Sequence, residues 1–112
     1  MSDISLSIGN PKSGVFTLID NKTQLPVVSP TFTNQLVGAN SNPAAATFAL
    51  DASNNAVGTG LSAGSGTIVF QTDAAWTDPG DGSAQTGTAL TVTKNFTVLP
   101  SADGATFDVV FP

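Results

Sequence analysis

The stretch 88–99 alternates from side to side. Leu90, Val92, Lys94, Phe96 and Val98 take one face; Thr91, Thr93, Asn95 and Thr97 take the other. An extended strand sorts side chains in this way, whereas a helix would scatter the same residues around its circumference. Pro100 ends the run. Helices have little room elsewhere, because 11 Gly and 7 Pro punctuate the 112 residues. The one Ala-rich patch, Ala44 to Ala46, follows Pro43 and runs straight into Thr47-Phe48, which leaves space for a single turn at best.

Further strand signals recur along the chain. Ile4, Leu6 and Ile8 alternate with polar residues before Gly9-Asn10-Pro11. The run 15–19 reads Val-Phe-Thr-Leu-Ile and predicts a second strand. The segment 26–33 is extended, and Pro26 and Pro30 mark it as an edge or a connection. Residues 35–37 continue it. Strands are also expected at 47–50 and 66–72, the latter rich in branched and aromatic residues, with residues 56–58 following the turn 51–55. Residues 105–111 place Phe107, Val109 and Phe111 on one face. The pattern predicts a single all-β domain over 1–112, an antiparallel β-sandwich of seven to eight strands. The lone Trp76 is expected at one end of the core or capping a sheet edge.

The composition narrows the chemistry. The chain has no His, Cys, Arg, Glu or Tyr; its charges are three Lys and eight Asp, a net −5. A His/Cys zinc site, a Ser–His or Cys–His nucleophile pair and an arginine phosphate clamp are excluded. Clustered Lys/Arg for displacing counterions is absent, so nucleic acid is not an expected partner. No apolar run approaches the ~20 residues of a membrane-spanning helix, and membrane insertion is not expected. The start Met1-Ser2-Asp3 lacks the basic and apolar regions of a signal peptide, which leads to an expectation of cytoplasmic synthesis.

Residues 41–70 carry a family resemblance. Ser41-Asn42-Pro43 leads into Ala46-Thr47-Phe48. Asp51 with Asn54-Asn55 makes a turn, Val57 and Gly60 follow, then Ala63-Gly64 and Gly66-Thr67-Ile68. This sequence resembles the bacterial immunoglobulin-like domains of group 2, the invasin/intimin type. It departs from them at Asn55, where the family often has Gly, at Gly66, and in a long insert over 72–87. The resemblance implies an Ig-like sandwich and a structural or adhesive role without catalysis.

Candidate sites are few. The segment 72–83 reads as a loop holding Asp73, Asp78 and Asp81, acids that could hold Ca²⁺, which takes about six to eight oxygens. The spacing differs from that of an EF-hand loop, and Asp-Pro-Gly-Asp-Gly is strong turn chemistry by itself, so no cofactor is expected. A glycosidase would need two acids across a cleft, which one flexible loop does not offer. Lys12 or Lys94 could form an isopeptide bond with Asn or Asp, but no Glu is present to shuttle the proton; an edge lysine that discourages strand addition is the favoured reading. The sequons at Asn21 and Asn95 are read as chance.

The expected function is therefore structural. The first reading is a bacteriophage virion component, a capsid decoration or head/tail accessory protein at the virion surface. The alternative is an adhesion or spacer module at a bacterial cell surface or in a secreted protein. The partners expected are capsid or other virion proteins, neighbouring surface domains, or further copies of the chain. The residues expected at the protein interface are Pro26, Val28, Pro30, Phe32 and Trp76.

Overall fold

The computed structural model describes residues 3–100 and 107–111. Its described residues form seven strands and no helix. These are β1 (Ile4–Ser7), β2 (Lys12–Gly14), β3 (Thr31–Asn40), β4 (Ala46–Leu50), β5 (Ala56–Gly60), β6 (Gly64–Thr77) and β7 (Ala84–Leu99). They make two sheets, one of order β1-β7-β6-β3 and one of order β2-β5-β4. One pairing departs from the antiparallel expectation: β1 runs parallel to β7, with Ile4 opposite Phe96 and Leu6 opposite Val98. The chain then passes from the first sheet to the second through Ile8, which bridges to Gly60, and Gly9, whose φ of 79° suits a residue without a side chain.

The alternation seen in the sequence builds the core. Ile68 and Phe70 of β6 and Phe96 and Val98 of β7 face inward and meet Leu6, Ala45 and Ala46. Aromatic rings extend this core in one line. Phe96 meets Phe48 edge-on at 5.2 Å, Phe48 meets Phe70 at 6.1 Å, Phe70 meets Phe16 at 6.1 Å, and Phe16 meets Phe32 at 6.0 Å. Such T-shaped pairs add to the stabilisation that burial already supplies.

The Ser-Asn-Pro segment secures the crossing from β3 to β4. The Thr67 N–H donates to Ser41 Oγ at 2.7 Å, and Asn42 Nδ2 donates to the Ser65 carbonyl at 3.1 Å. Asn40 Nδ2 donates to the Ala46 carbonyl at 2.8 Å. Small polar side chains thus replace ladder bonds where the backbone leaves one sheet for the other. In the next turn Asn54 adopts a φ of 59°, and Asp51 Oδ1 accepts the N–H groups of Ser53 and Asn55.

Three sequence expectations need correction. Residues 72–77 are not loop: β6 runs to Thr77 and pairs with both β3 and β7, and the turn is confined to residues 78–83. Residues 15–18 form no strand, although Ile19 makes an isolated bridge to Pro26. The cause lies in β5. The β2 ladder ends at Gly14 opposite Ala56, the first residue of β5, so the chain beyond Gly14 has no strand to pair with. Residues 107–111 form no strand either and are exposed; Ala105, the start of that expected strand, lies outside the described residues.

Candidate functional site

The two sheets differ in length. β6 and β7 have 14 and 16 residues, whereas β4 and β5 have 5 each. The inner face of the first sheet therefore runs past the end of the second. A cavity of about 950 Å³ opens there, between the first sheet (Phe70, Leu90, Val92), the second (Phe48, Ala56) and the arm 15–19. The arm keeps a strand's alternation although it has no sheet. Phe16 and Leu18 are half-buried toward the cavity, while Val15 and Ile19 are 76% and 46% exposed. A small turn anchors its far end: the Val27 N–H donates to the Leu18 carbonyl at 2.8 Å, and the Lys22 N–H donates to Asp20 Oδ1 at 2.7 Å. Lys12 and Lys94 line the cavity, with Asp3.

The residues expected at the interface do not form one exposed patch. Pro26 and Val28 lie on the surface, Val28 being 86% exposed. Phe32 turns inward to Phe16 and lines the cavity. Trp76 is half-buried on β6, opposite Gln85. Thr31 pairs with Ala75 and Phe32 with Ala74, so one further step of that register sets half-buried Pro30 alongside Trp76. Neither the cavity nor the place of the arm beside it is legible in the sequence alone. The signal available was the apolar arm itself, Val15, Phe16, Leu18 and Ile19, read as an ordinary strand.

The three acids also part company. Asp73 lies within β6 and clamps a bulge on each side of its strand. The ladders shift between Thr33 and Leu36 on β3 and between Thr72 and Ala74 on β6. Asn34 and Ala89 adopt φ of 52° and 53° beside those shifts. Ala89 N–H donates to Asp73 Oδ1 and Asn34 Nδ2 to Oδ2, both at 2.8 Å. Asp78 lies five residues further on, about 16 Å along an extended strand. Asp78 Oδ1 accepts the Gly80 N–H at 2.8 Å, and Asp81 Oδ1 accepts Ser83 Oγ and N–H at 2.6 and 2.9 Å. Among the described residues no group of three acids gathers in metal-binding geometry. Saturating Ca²⁺ is accordingly expected to leave the melting temperature where EDTA leaves it, which a pair of calorimetric scans measures. A rise of several degrees in Ca²⁺ would reinstate the metal.

These bonds set a pH dependence. The Ala89 N–H and then the Asn34 amide hold the Asp73 carboxyl below its ordinary range. The Ser83 hydroxyl and then its N–H do the same for Asp81. A carboxyl depressed in the folded state stabilises it above the unfolded pKa, and that contribution is lost as pH falls through the folded pKa. Asp73→Asn is expected to flatten the acid limb of the stability–pH curve, below about pH 4, and leave the neutral limb parallel to that of the parent. Carboxyl NMR titration checks the direction for each acid separately.

Comparison of the chain with protein-family models, with curated proteins and with solved structures returns no match.

Proposed function

We propose that the chain is a non-enzymatic structural protein of Ig-like type that works by binding other protein surfaces, as a component of a bacteriophage particle. The strand order supports the Ig-like part. Lettered along the chain, β2-β5-β4 reads B-E-D and β3-β6-β7 reads C-F-G, as in that sandwich, while β1, the A strand, pairs with G instead of joining the B-E-D sheet. The observation that carries the role is the pairing of an inert polar surface with an open apolar flank. The chain has no imidazole, thiol or guanidinium to turn over a substrate. It exposes Val15 and Ile19 at a cavity lined by aromatic rings, and exposed apolar residues grouped in this way mark an interaction surface.

A capsid-decorating or head/tail accessory role uses such a flank against a protein shell. A low charge density, 10% of residues, reduces the cost of desolvating that contact. The test is purification of particles on a density gradient. The polypeptide is expected to co-sediment with virions at a fixed copy number per shell. Recovery only as a tandemly repeated unit of a longer surface polypeptide would select the adhesion or spacer role instead.

A further inference from the structure

Two segments with the pattern of strands have no sheet. One is the arm 15–19 at the cavity; the other is the segment 107–111, Phe-Asp-Val-Val-Phe. Phe107, Val110 and Phe111 are 88%, 85% and 83% exposed, and Val109 is 56% exposed. A chain that leaves Phe107 and Phe111 in water gains free energy by burying them.

The cavity has the matching deficit. The parallel ladder of β1 on β7 begins at the Ile4–Phe96 pair. Among the described residues, 90–93 of β7 have no ladder partner on the edge away from β6. Among the described residues, 15–17 have no ladder partner either, and the Val15 carbonyl accepts only the Thr17 hydroxyl, at 3.5 Å. Backbone groups at both walls of one apolar cavity are thus available to a further strand. In the single chain, the segment 107–111 stands in solvent instead of filling this space.

We propose that the segment 107–111 of one copy docks as an added strand in the cavity of a second copy, along the 90–93 edge of β7. This deepens the structural reading and rests on it, by naming a second copy of the chain as a partner. Main-chain bonds to the edge supply affinity, and alternate side chains supply specificity. Phe107, Val109 and Phe111 enter the cavity beside Phe16, Phe70 and Val92. Asp108 and Val110 face the other side of the added strand, away from the cavity. The contact is head-to-tail. It extends into open arrays unless a rotation closes a ring.

The test is sedimentation velocity of the full chain over a wide concentration range. Wild type is expected to form a concentration-dependent series of oligomers. Val109→Asp is expected to raise the concentration needed for self-association about tenfold or more, the effect of a ~1.4 kcal/mol loss. Val110→Asp, on the outward face, leaves it within about twofold. Neither position belongs to the core, so both variants fold. The absence of cysteine permits a second readout. Chains carrying Val15→Cys and chains carrying Val109→Cys, mixed and oxidised, are expected to cross-link to each other faster than to themselves. A monomer at every concentration, equal effects of the two Asp variants, or an intramolecular bridge in a chain carrying both Val15→Cys and Val109→Cys would each overturn the proposal. A monomer that still co-sediments with virions sinks this inference alone. Oligomers that never join a particle sink the virion reading alone.

Discussion

Phe96→Ala is expected to destabilise the domain by about 3–5 kcal/mol, the range for removing a buried aromatic ring. Phe96 is 1% exposed. It lies on β7 between β1, opposite Ile4, and β6, opposite Gly66, and it meets Phe48 of the other sheet. Its removal leaves a hole bounded by both sheets, which ordered strands cannot close without losing their ladders. Domains of this size hold about 5–15 kcal/mol in all, so the variant keeps little margin. Chemical denaturation measures it: the midpoint falls steeply with an unchanged slope. By contrast, Phe107→Ala should leave the stability of the monomer unchanged, because that ring is 88% exposed.

Gly60→Ala is the second large effect, and it acts through crowding. A Cβ on Gly60 would stand 2.9 Å from the Ser7 carbonyl oxygen and 2.9 Å from Val98 Cγ1. The carbonyl cannot swing away, since it accepts the Asn10 N–H where the chain changes sheets. Gly60 also pairs with Ala46, and Ile8 bridges to it, so a shift at this point disturbs both sheets. Overpacking of this kind costs about 1–3 kcal/mol. The melting temperature is expected to drop by several degrees or more. Gly14→Ala is the control, because a Cβ there meets nothing within 4 Å.

Much of the architecture was readable because alternation is local. The strands at Ile4–Ser7, Ala46–Leu50 and Ala56–Gly60, and the inward set Val92, Phe96 and Val98, follow from residues within a few positions of one another. What misled was information held elsewhere in the chain. The arm 15–19 has good strand chemistry, but its fate depends on where β5 begins, and the turn at 51–55 decides that. The segment 72–77 has weak strand chemistry and a nearby Pro-Gly turn, yet it is a central strand because β3 and β7 pair with it on both sides. The parallel placement of β1 is likewise a matter of which edge of β7 remains open.

Asp73 illustrates the same limit at the level of a site. An acid in a Gly- and Pro-rich stretch looks like a cation ligand when only its neighbours are considered. Its partners are Asn34 and Ala89, 39 and 16 residues away. Each of them donates to one of the two carboxylate oxygens, and the pair holds two bulges. Asp78 and Asp81 serve their own turn, which the local Asp-Pro-Gly-Asp-Gly chemistry did indicate. The apolar arm 15–19 was legible locally, but the cavity beside it was not, because the cavity arises from a mismatch in length between two sheets.

We propose contact and assembly as the way this chain works. Quantitative mass spectrometry of gradient-purified bacteriophage particles tests it most directly. The polypeptide is expected in the virion fraction at a constant number of copies per shell, unchanged when Asp73, Asp78 and Asp81 are all replaced by Asn in a variant that still folds. A chain missing from the particles, with a hydrolytic activity that the same triple replacement abolishes, would contradict it.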